Sequence, residues 1–342
     1  MSKSIIVVGP VILDKHYFIN KYPSESSLAT ISDTSASIGG SGNLILDLAK
    51  LDNKIHIVVN SVIGKDEGAT LIKQEFSKYN NIDMSNTVVL ENTPTTHVMD
   101  SLSTKQRTFF FDAASNRDFD INCVKLDKAK GSLLQVEYIG LIGKLMDEDK
   151  DYGSKIAKLL YLAKQNGMKT SIDMVSKNDE TTIKVARSAL KYSDYCTVNE
   201  LEAQSISGIE IKDSDDNIIE ENIIKALDKI KSFGVTTWVV IHSKFFNYGL
   251  DCNTNKVYKA ESLDVPKSYI KGTTGAGDAF LSGILISIDR GFDLEKALKV
   301  ACSTAVCSLA SVDGTSAMKN YEKVMELFDI YSKGCVYEEI RN

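Results

Sequence analysis

The clearest indication of chemistry in this sequence is a turn of small residues, Gly275, Ala276 and Gly277, which ends in the carboxylate of Asp278. The apolar run 280–288 follows, so the turn is predicted to open into a buried helix. The first N–H groups of a helix lack internal partners, and small side chains let an anion approach them closely. A carboxylate placed there would repel an anion, so its presence needs a reason. One such reason is that it takes a proton from an attacking hydroxyl. The pattern therefore indicates phosphoryl transfer.

The same stretch, extended back to Gly272, resembles the signature of the ribokinase-like (PfkB) sugar kinases, usually Asp-Thr-x-Gly-Ala-Gly-Asp. The resemblance implies an anion hole at 275–277 and a catalytic base at Asp278. It also implies that Thr273 and Gly277 contact ATP. Gly272 replaces an Asp that helps to form the family's monovalent-cation site, which argues against potassium activation. Taken alone, the stretch could equally be an ordinary turn with Asp278 as a first-turn helix charge.

A second glycine-rich turn, Gly39-Gly40-Ser41-Gly42-Asn43, precedes a helical pattern at 44–51. It resembles the turn with which the family binds sugar hydroxyls, although the glycine pair lies one residue closer to Asn43 than usual. The resemblance implies that Gly39, Gly40 and Asn43 contact the sugar, and that Asp14, which follows the first strand, holds sugar hydroxyls. The alternatives are that Asn43 caps the helix and that Asp14 is an ordinary strand-end charge.

A third motif, Asn199-Glu200-Leu201-Glu202, lies where a predicted strand gives way to a helix. It resembles the family's Asn-x-x-Glu motif, which implies that Asn199 and Glu202 act near phosphate and bind Mg²⁺ through its water shell. Mg²⁺ keeps several waters, so a carboxylate and an amide on one helical turn can hold it indirectly. The alternative is an Asn cap followed by first-turn acids. Gly314 occupies the place of the family's adenine-side loop.

The rest of the chain indicates an α/β fold with a doubly wound, mostly parallel sheet flanked by helices, in one domain spanning 1–342. The run 5–9 is uniformly apolar, as expected of a strand buried on both faces. The glycines of a dinucleotide fingerprint do not follow it, which excludes a nicotinamide fold. Further strands are predicted at 136–142, 169–173, 195–198 and 237–242. Helices are predicted at 66–79, 153–166, 179–191, 200–206 and 219–233.

Two segments interrupt this pattern, at about 12–38 and 93–113, and both read as strands with one solvated face. The family resemblance implies that they form a small β lid, which closes over the sugar and often provides a homodimer contact. A lid is useful because water near the transferring phosphoryl group would compete with the sugar. Arg107 on the lid could reach the substrate, or it could be a surface charge on an edge strand.

Composition excludes several other classes of protein. The chain has 342 residues, a net charge of −6 and a pI near 5.4, which argues against nucleic-acid binding. The six cysteines include no Cys-x-x-Cys pair, so zinc and disulfide frameworks are not indicated. No apolar run approaches about 20 residues and no signal-type segment opens the chain, so we expect a cytoplasmic protein with no membrane contact.

The combined prediction is a Mg²⁺- and ATP-dependent phosphotransferase acting on a primary hydroxyl of a sugar or sugar acid, of ribokinase, fructokinase or 2-keto-3-deoxygluconate kinase type. Two alternatives remain open. One is a nucleoside kinase of the same fold, and the other is a non-catalytic sugar sensor. The sequence does not choose between the substrates.

Overall fold

A computed structural model describes residues 4–126, 132–213 and 217–341. The strands, in chain order, are β1 (Ser4–Val8), β2 (Val11–Ile19), β3 (Ile31–Gly40), β4 (His56–Asn60), β5 (Val62–Ile63), β6 (Ile82–Asp83), β7 (Val88–Val89), β8 (Thr95–Ser101), β9 (Arg107–Asp112), β10 (Leu133–Ile139), β11 (Lys169–Met174), β12 (Tyr195–Asn199), β13 (Trp238–His242), β14 (Phe246–Asp251), β15 (Val257–Glu261) and β16 (Tyr337–Arg341). The helices are α1 (Ser41–Leu51), α2 (Glu67–Phe76), α3 (Lys155–Gln165), α4 (Glu180–Leu190), α5 (Glu200–Ser207), α6 (Glu220–Ser232), α7 (Ala276–Arg290), α8 (Leu294–Ser308) and α9 (Tyr321–Tyr331).

The large sheet has the strand order β16-β15-β14-β13-β12-β11-β10-β1-β4-β6 among the residues described. The strands from β13 to β6 in this order pair in parallel, whereas β14, β15 and β16 are antiparallel. The chain order reverses at β1, which lies between β4 and β10. Open α/β sheets bind ligands at such a switch point, outside the carboxyl ends of the strands.

The alternation of side chains along β1 explains why helices cover both faces of this sheet. Ile5 and Val7 join one apolar cluster, which α1, α2, α7, α8 and α9 complete. Ile6 and Val8 join the other, which α3, α4, α5 and α6 complete. A strand buried on both faces needs apolar residues at every position, and this is the pattern of the sequence. The predicted doubly wound fold is confirmed.

The predicted strands and helices of the large sheet are confirmed within a few residues of their expected ends. The edge formed by β14, β15 and β16 was not predicted. Its strands are antiparallel, β15 carries half-exposed side chains between buried ones, and β16 carries only half-exposed and exposed ones. They therefore lack the continuous apolar run that marks a parallel strand.

A separate four-stranded sheet has the order β3-β2-β8-β9 and contains the two segments predicted to interrupt the α/β pattern. Its central strands β2 and β8 are parallel, and the β8–β9 hairpin turns near Lys105, whose φ is 57°. Asp14, Ser37 and Thr96 lie opposite one another in the strand register, so their side chains share one face. We call this element the small sheet.

No helix in the described part of the chain is long and apolar enough to cross a membrane.

Candidate active site

Helix α7 begins without a side-chain cap, at the turn that first indicated phosphoryl chemistry. Gly275 is its N-cap residue, with φ 75° and ψ 1°, a conformation that glycine adopts without strain. By contrast, side chains of Asp66, Ser154 and Asp179 accept hydrogen bonds from the first turns of α2, α3 and α4. The Ala276 N–H donates to the Thr273 carbonyl oxygen at 3.4 Å, and the other first backbone donors of α7 remain available to an anion.

Asp278 lies in the first turn of α7 and is buried. The Asn43 side-chain amide donates to its Oδ2 atom at 2.9 Å. The Tyr138 hydroxyl donates to both carboxylate oxygens, at 3.2 and 3.3 Å. Burial raises the pKa of Asp278 to about 6, against the lowering effect of these two donors. The carboxylate is therefore mostly ionised at neutral pH, yet close enough to neutrality to accept a proton.

Asn43 is placed for this contact by the second glycine-rich turn. Helix α1 begins at Ser41 and its N-cap residue is Gly40, so the alternative that Asn43 caps the helix is wrong. The Asn43 amide nitrogen also lies near Gly275, 3.8 Å from where a Cβ on that residue would be. The two motifs predicted from sequence thus form one site.

Asp14 reaches the same region from β2, because Gly39 leaves room for its carboxylate. A Cβ on Gly39 would lie 2.2 Å from the Asp14 Oδ2 atom. A Cβ on Gly40, whose φ is 57°, would lie 2.4 Å from the Pro10 carbonyl oxygen. Burial raises the pKa of Asp14 to about 6, while a hydrogen bond from Thr96 opposes this shift. A carboxylate held in this way can accept hydrogen bonds from the hydroxyl groups of a substrate.

Arg107 joins the small sheet to the turn formed by residues 273–278, which we call the anion turn. Its Nε atom lies 2.8 Å from the Asp100 Oδ1 atom, and its guanidinium also donates to the Thr274 hydroxyl. The other Asp100 oxygen lies 2.9 Å from His16 Nδ1. The Arg107 side chain is only 22% exposed, so the alternative of a solvated surface charge does not describe it.

Asn199 and Glu202 form a capping box at the start of α5, as the structural alternative predicted. The Asn199 side chain accepts from the Leu201 and Glu202 backbones, and Glu202 Oε2 accepts from the Asn199 backbone at 2.8 Å. Glu202 Oε1 accepts from the Asn199 amide and from the Ser176 hydroxyl. Burial raises the pKa of Glu202 to about 7. The cap does not exclude metal binding, because a carboxylate offers about four acceptor positions.

Asn199, Ser176 and Glu202 line a cavity of about 280 Å³, together with Asp278 and the anion turn. The residues predicted to bind the sugar, Asp14, Gly39, Gly40, Asn43 and Arg107, do not line this cavity. Asp173 and Glu202 contribute carboxylates to its wall, and burial and mutual repulsion raise the pKa of Asp173. In the described part of the chain no group of three or more His, Cys, Asp or Glu side chains is placed to hold a metal ion directly, so the oxygen donors here fit Mg²⁺ only through its water shell. Asn199 and Glu202 are the residues that would hold the ion, through water.

Two glycines bring a second loop against the anion turn. Gly314 has a φ of 79°, and a Cβ there would lie 2.3 Å from the Thr274 carbonyl oxygen. A Cβ on Gly272 would lie 2.8 Å from the Ser311 carbonyl oxygen. The 311–314 loop therefore packs directly behind the turn. Position 272 leaves no room for the Asp that the PfkB signature usually has there.

His242 lies at the end of β13 and takes part in packing. Its ring stacks on Phe280, with 4.9 Å between ring centres. Burial lowers the pKa of His242 to about 4, so the ring is neutral at physiological pH.

Sequence reasoning missed Tyr138 and Glu137, which face the site from the end of β10. Tyr138 contacts Asp278 as described, and Glu137 is fully buried with a raised pKa caused by burial and by neighbouring carboxylates. The one available signal was the presence of Gln135 and Glu137 in a strand whose other residues are apolar or aromatic.

The profile of the pfkB family carbohydrate kinases matches residues 2–320. The chain belongs to this family. The pfkB-family chain is 21% identical over 335 residues to ribokinase of Haemophilus influenzae, covering 96% of this chain and 99% of that one. It is 29% identical over 118 residues to adenosine kinase 1 of Arabidopsis thaliana, a match that spans only 34% of each protein.

The fold of this pfkB-family chain is similar to solved ribokinases. The structure of Arabidopsis thaliana ribokinase complexed with ribose and ATP superposes with a TM-score of 0.76 at 19% identity, covering 96% of this chain and 99% of that one. The chain is therefore a ribokinase-like phosphotransferase, and kinases of this type use ATP.

Proposed function

We propose that this pfkB-family kinase transfers the γ-phosphoryl group of ATP to a primary hydroxyl of a sugar or sugar acid. The observation that carries the proposal is the hydrogen bond between Asn43 and Asp278, which joins the predicted sugar turn to the predicted catalytic base. The proposed base thereby lies between the glycine-rich turn at 39–43 and the uncapped start of α7. Phosphoryl transfer to an alcohol requires a base between an acceptor site and a phosphoryl-binding site, and we assign these two turns to those sites.

On the acceptor side, Asp14 and Asn43 hold sugar hydroxyls, and the backbone of Gly39 and Gly40 lines the pocket. Asp278 takes the proton from the reacting hydroxyl. The support for these roles is the close approach of Asp14 to Gly39 and the shared burial of both carboxylates. The raised pKa of Asp278 favours proton uptake near neutral pH.

On the phosphate side, the backbone N–H groups of residues 275–277 stabilise the charge that develops on the transferred group. Thr273, Gly277, Gly314 and Asn199 contact the nucleotide. Asn199 and Glu202 would hold Mg²⁺ through water, and the ion would neutralise negative charge on the phosphates. The crowded position of Gly272 supports a site that works without potassium.

We further propose that the small sheet is a lid on a single domain and that Arg107 acts when this lid is closed. Its guanidinium lies beside Thr274. It is also close enough to Asp14 to oppose the rise in pKa that burial causes at that carboxylate. It can therefore contact the acceptor or the transferred phosphoryl group while the lid excludes water.

A nucleoside acceptor is the second candidate, and the local similarity to adenosine kinase 1 favours it. The sugar and nucleoside proposals share every catalytic role and differ only in the acceptor pocket. A sugar sensor without catalysis is the remaining alternative.

The proposal is tested by measuring ADP release from ATP and Mg²⁺ with single acceptors. The panel contains ribose, fructose, 2-keto-3-deoxygluconate, adenosine and pseudouridine. We expect one strong responder among the sugars or sugar acids, because Asp14 and Asn43 offer polar contacts to several hydroxyls. A response confined to a nucleoside would establish the second candidate. Tight sugar binding without ADP release would support the sensor and contradict the kinase.

We also propose that two copies associate through their small sheets. The edge strand β9 exposes Phe109 and Phe110, and the β2–β3 connection exposes Leu28. Exposed apolar residues on an edge strand are typical of an interaction site. In a symmetric dimer, each copy would cover the β9 edge of the other.

Light scattering at micromolar concentration should give the mass of a dimer, and Phe109→Glu should give that of a monomer. Ile330→Glu on α9 is the matched control, since Ile330 is 57% exposed and Phe109 is 58% exposed. A monomeric wild-type protein, or equal effects of the two substitutions, would contradict the proposed dimer.

A further inference from the structure

Tyr138 has a backbone conformation that is unusual for a bulky residue. Its φ is 60°, and the register between β10 and β11 shifts between Val136 and Ile139. Its backbone N–H donates to the side-chain atom Asp173 Oδ1 on β11 at 2.8 Å instead of to a backbone carbonyl of that strand. Bulges next to active sites redirect side chains, and a left-handed φ at a non-glycine residue is maintained only when its surroundings impose it. Here the irregularity turns the phenol toward the cavity.

The phenol contacts the atoms on which the proposed chemistry depends. Its hydroxyl lies between the two oxygens of Asp278, at 3.2 and 3.3 Å, while Asn43 occupies one position on Oδ2. An ionised carboxylate has about four acceptor positions. The two donors therefore fix the plane of the carboxylate and leave positions on Oδ1 for an incoming hydroxyl.

The groups around Asp278 give these neutral donors particular importance. Carboxyl groups face it from five elements of the chain: Asp14, Asp47, Glu137, Asp173 and Glu202. The neutral ring of His242 faces the same turn. Among the described residues, no Lys or Arg side chain forms an ion pair with Asp278. Two hydrogen bonds, and not a cation, therefore stabilise its ionised form.

We propose that Tyr138 is a positioning residue, which with Asn43 holds the Asp278 carboxylate ionised and oriented toward the acceptor hydroxyl. This role rests on the proposed kinase function. The phenol is suited to it, because burial and the nearby carboxylates raise the pKa of Tyr138 well above its usual value. It remains a donor at every pH at which the enzyme works.

Tyr138→Phe removes the hydroxyl and keeps the ring. We expect kcat at pH 7 to fall about tenfold with little change in KM for ATP, because the base loses its orientation but the nucleotide contacts remain. The acidic limb of the pH profile of kcat should move up by about one pH unit, because loss of a donor to the ionised carboxylate raises the pKa of Asp278. In an Asp278→Asn background, Tyr138→Phe should have no further effect.

The matched control is Tyr248→Phe, since Tyr248 is also buried and also donates to a carboxylate, that of Glu220. It should leave both kcat and the acidic limb unchanged. A Tyr138→Phe enzyme with wild-type kcat and pH profile would overturn the proposal. So would a lower kcat with an unmoved acidic limb, which would indicate a packing role alone.

A measurement independent of catalysis separates this proposal from the kinase proposal. The ¹³C carboxyl signal of Asp278, assigned by its loss in Asp278→Asn, is titrated in the wild type and in Tyr138→Phe. We expect the midpoint to rise in the variant, and an unchanged midpoint would overturn the role of Tyr138. A raised midpoint in a protein that phosphorylates no acceptor would support the contact and contradict the kinase function.

Discussion

Asp278→Asn is expected to lower kcat by about two to four orders of magnitude, the usual loss when a general base is removed. The asparagine has nearly the same shape and can still accept the hydrogen bond from Asn43 through its oxygen. It cannot take a proton from the acceptor. Steady-state ADP release with the substrate identified from the panel measures the effect, and wild-type turnover would contradict the assignment of the base.

The same substitution should raise the stability of the protein, which distinguishes a lost base from a lost fold. Burial raises the pKa of Asp278 from 3.8 to about 6, so the folded state disfavours the ionised form. This cost develops as the pH rises from about 4 to 6 and is fully present above that range. The shift corresponds to about 3 kcal/mol at most, and the neutral asparagine avoids it. Thermal unfolding at pH 8 should therefore show an equal or higher Tm in the variant.

Asp47→Asn is the matched control for Asp278→Asn. Asp47 is fully buried one helical turn beyond Asn43 on α1, and burial raises its pKa well above the usual value. Neither of its carboxylate oxygens has a hydrogen-bond partner in the described structure. Its replacement should preserve turnover, because Asp47 has no part in the proposed proton transfer. A loss as large as that of Asp278→Asn would mean that the effect is general to buried acids.

Gly314→Ala is expected to lower kcat by about 100-fold, because it forces the loop behind the anion turn to move. The new Cβ would lie 2.3 Å from the Thr274 carbonyl oxygen and 3.2 Å from the Gly275 Cα atom, and both are backbone atoms. Either the 311–314 loop or the turn must shift. A displacement of about 1 Å at a phosphoryl-binding backbone can cost about 10²-fold in rate.

Gly167→Ala measures the cost of placing alanine in a left-handed backbone conformation without a steric clash. Gly167 has a φ of 74°, close to the 79° of Gly314, but a Cβ there would meet no atom within 4 Å. Both substitutions should lower the free energy of unfolding by about 1 kcal/mol through the left-handed backbone conformation, and Gly314→Ala should lower it further because of the backbone clash. Only Gly314→Ala should lower kcat. Comparable turnover in the two variants would show that the loop behind the anion turn is free to adapt.

Local patterns were sufficient to predict the elements that bear the site. A few neighbouring residues are enough to recognise the apolar strand β1 and the glycine-rich turns before α1 and α7. The family resemblance then assigned sugar contacts to the first turn and the catalytic base to the second. The orientation of Asn43 toward Asp278 follows from the packing of α1 against α7, which no local pattern specifies.

Contacts that depend on tertiary packing could not be predicted. The sequence gives no sign that β10 has a bulge, so Tyr138 reads as an ordinary strand residue. Arg107 was correctly placed on a strand, but its bond to Thr274 depends on how the small sheet lies over the turn. The antiparallel edge was missed because half-exposed strands such as β15 have a weak pattern in sequence.

The contact between Asn43 and Asp278 spans 235 positions of the chain, and this separation has a consequence for biosynthesis. At ordinary translation rates, a ribosome needs roughly 10–50 s to add the intervening residues. During that time the nascent chain has the glycine-rich turn at 39–43 but lacks Asp278, and the apolar face of α1 has not yet met α7. Non-local closure of this kind slows folding and leaves apolar surface for chaperones to protect. The contact between Asn43 and Asp278 and the closure of the core between α1 and α7 are therefore both completed late in synthesis.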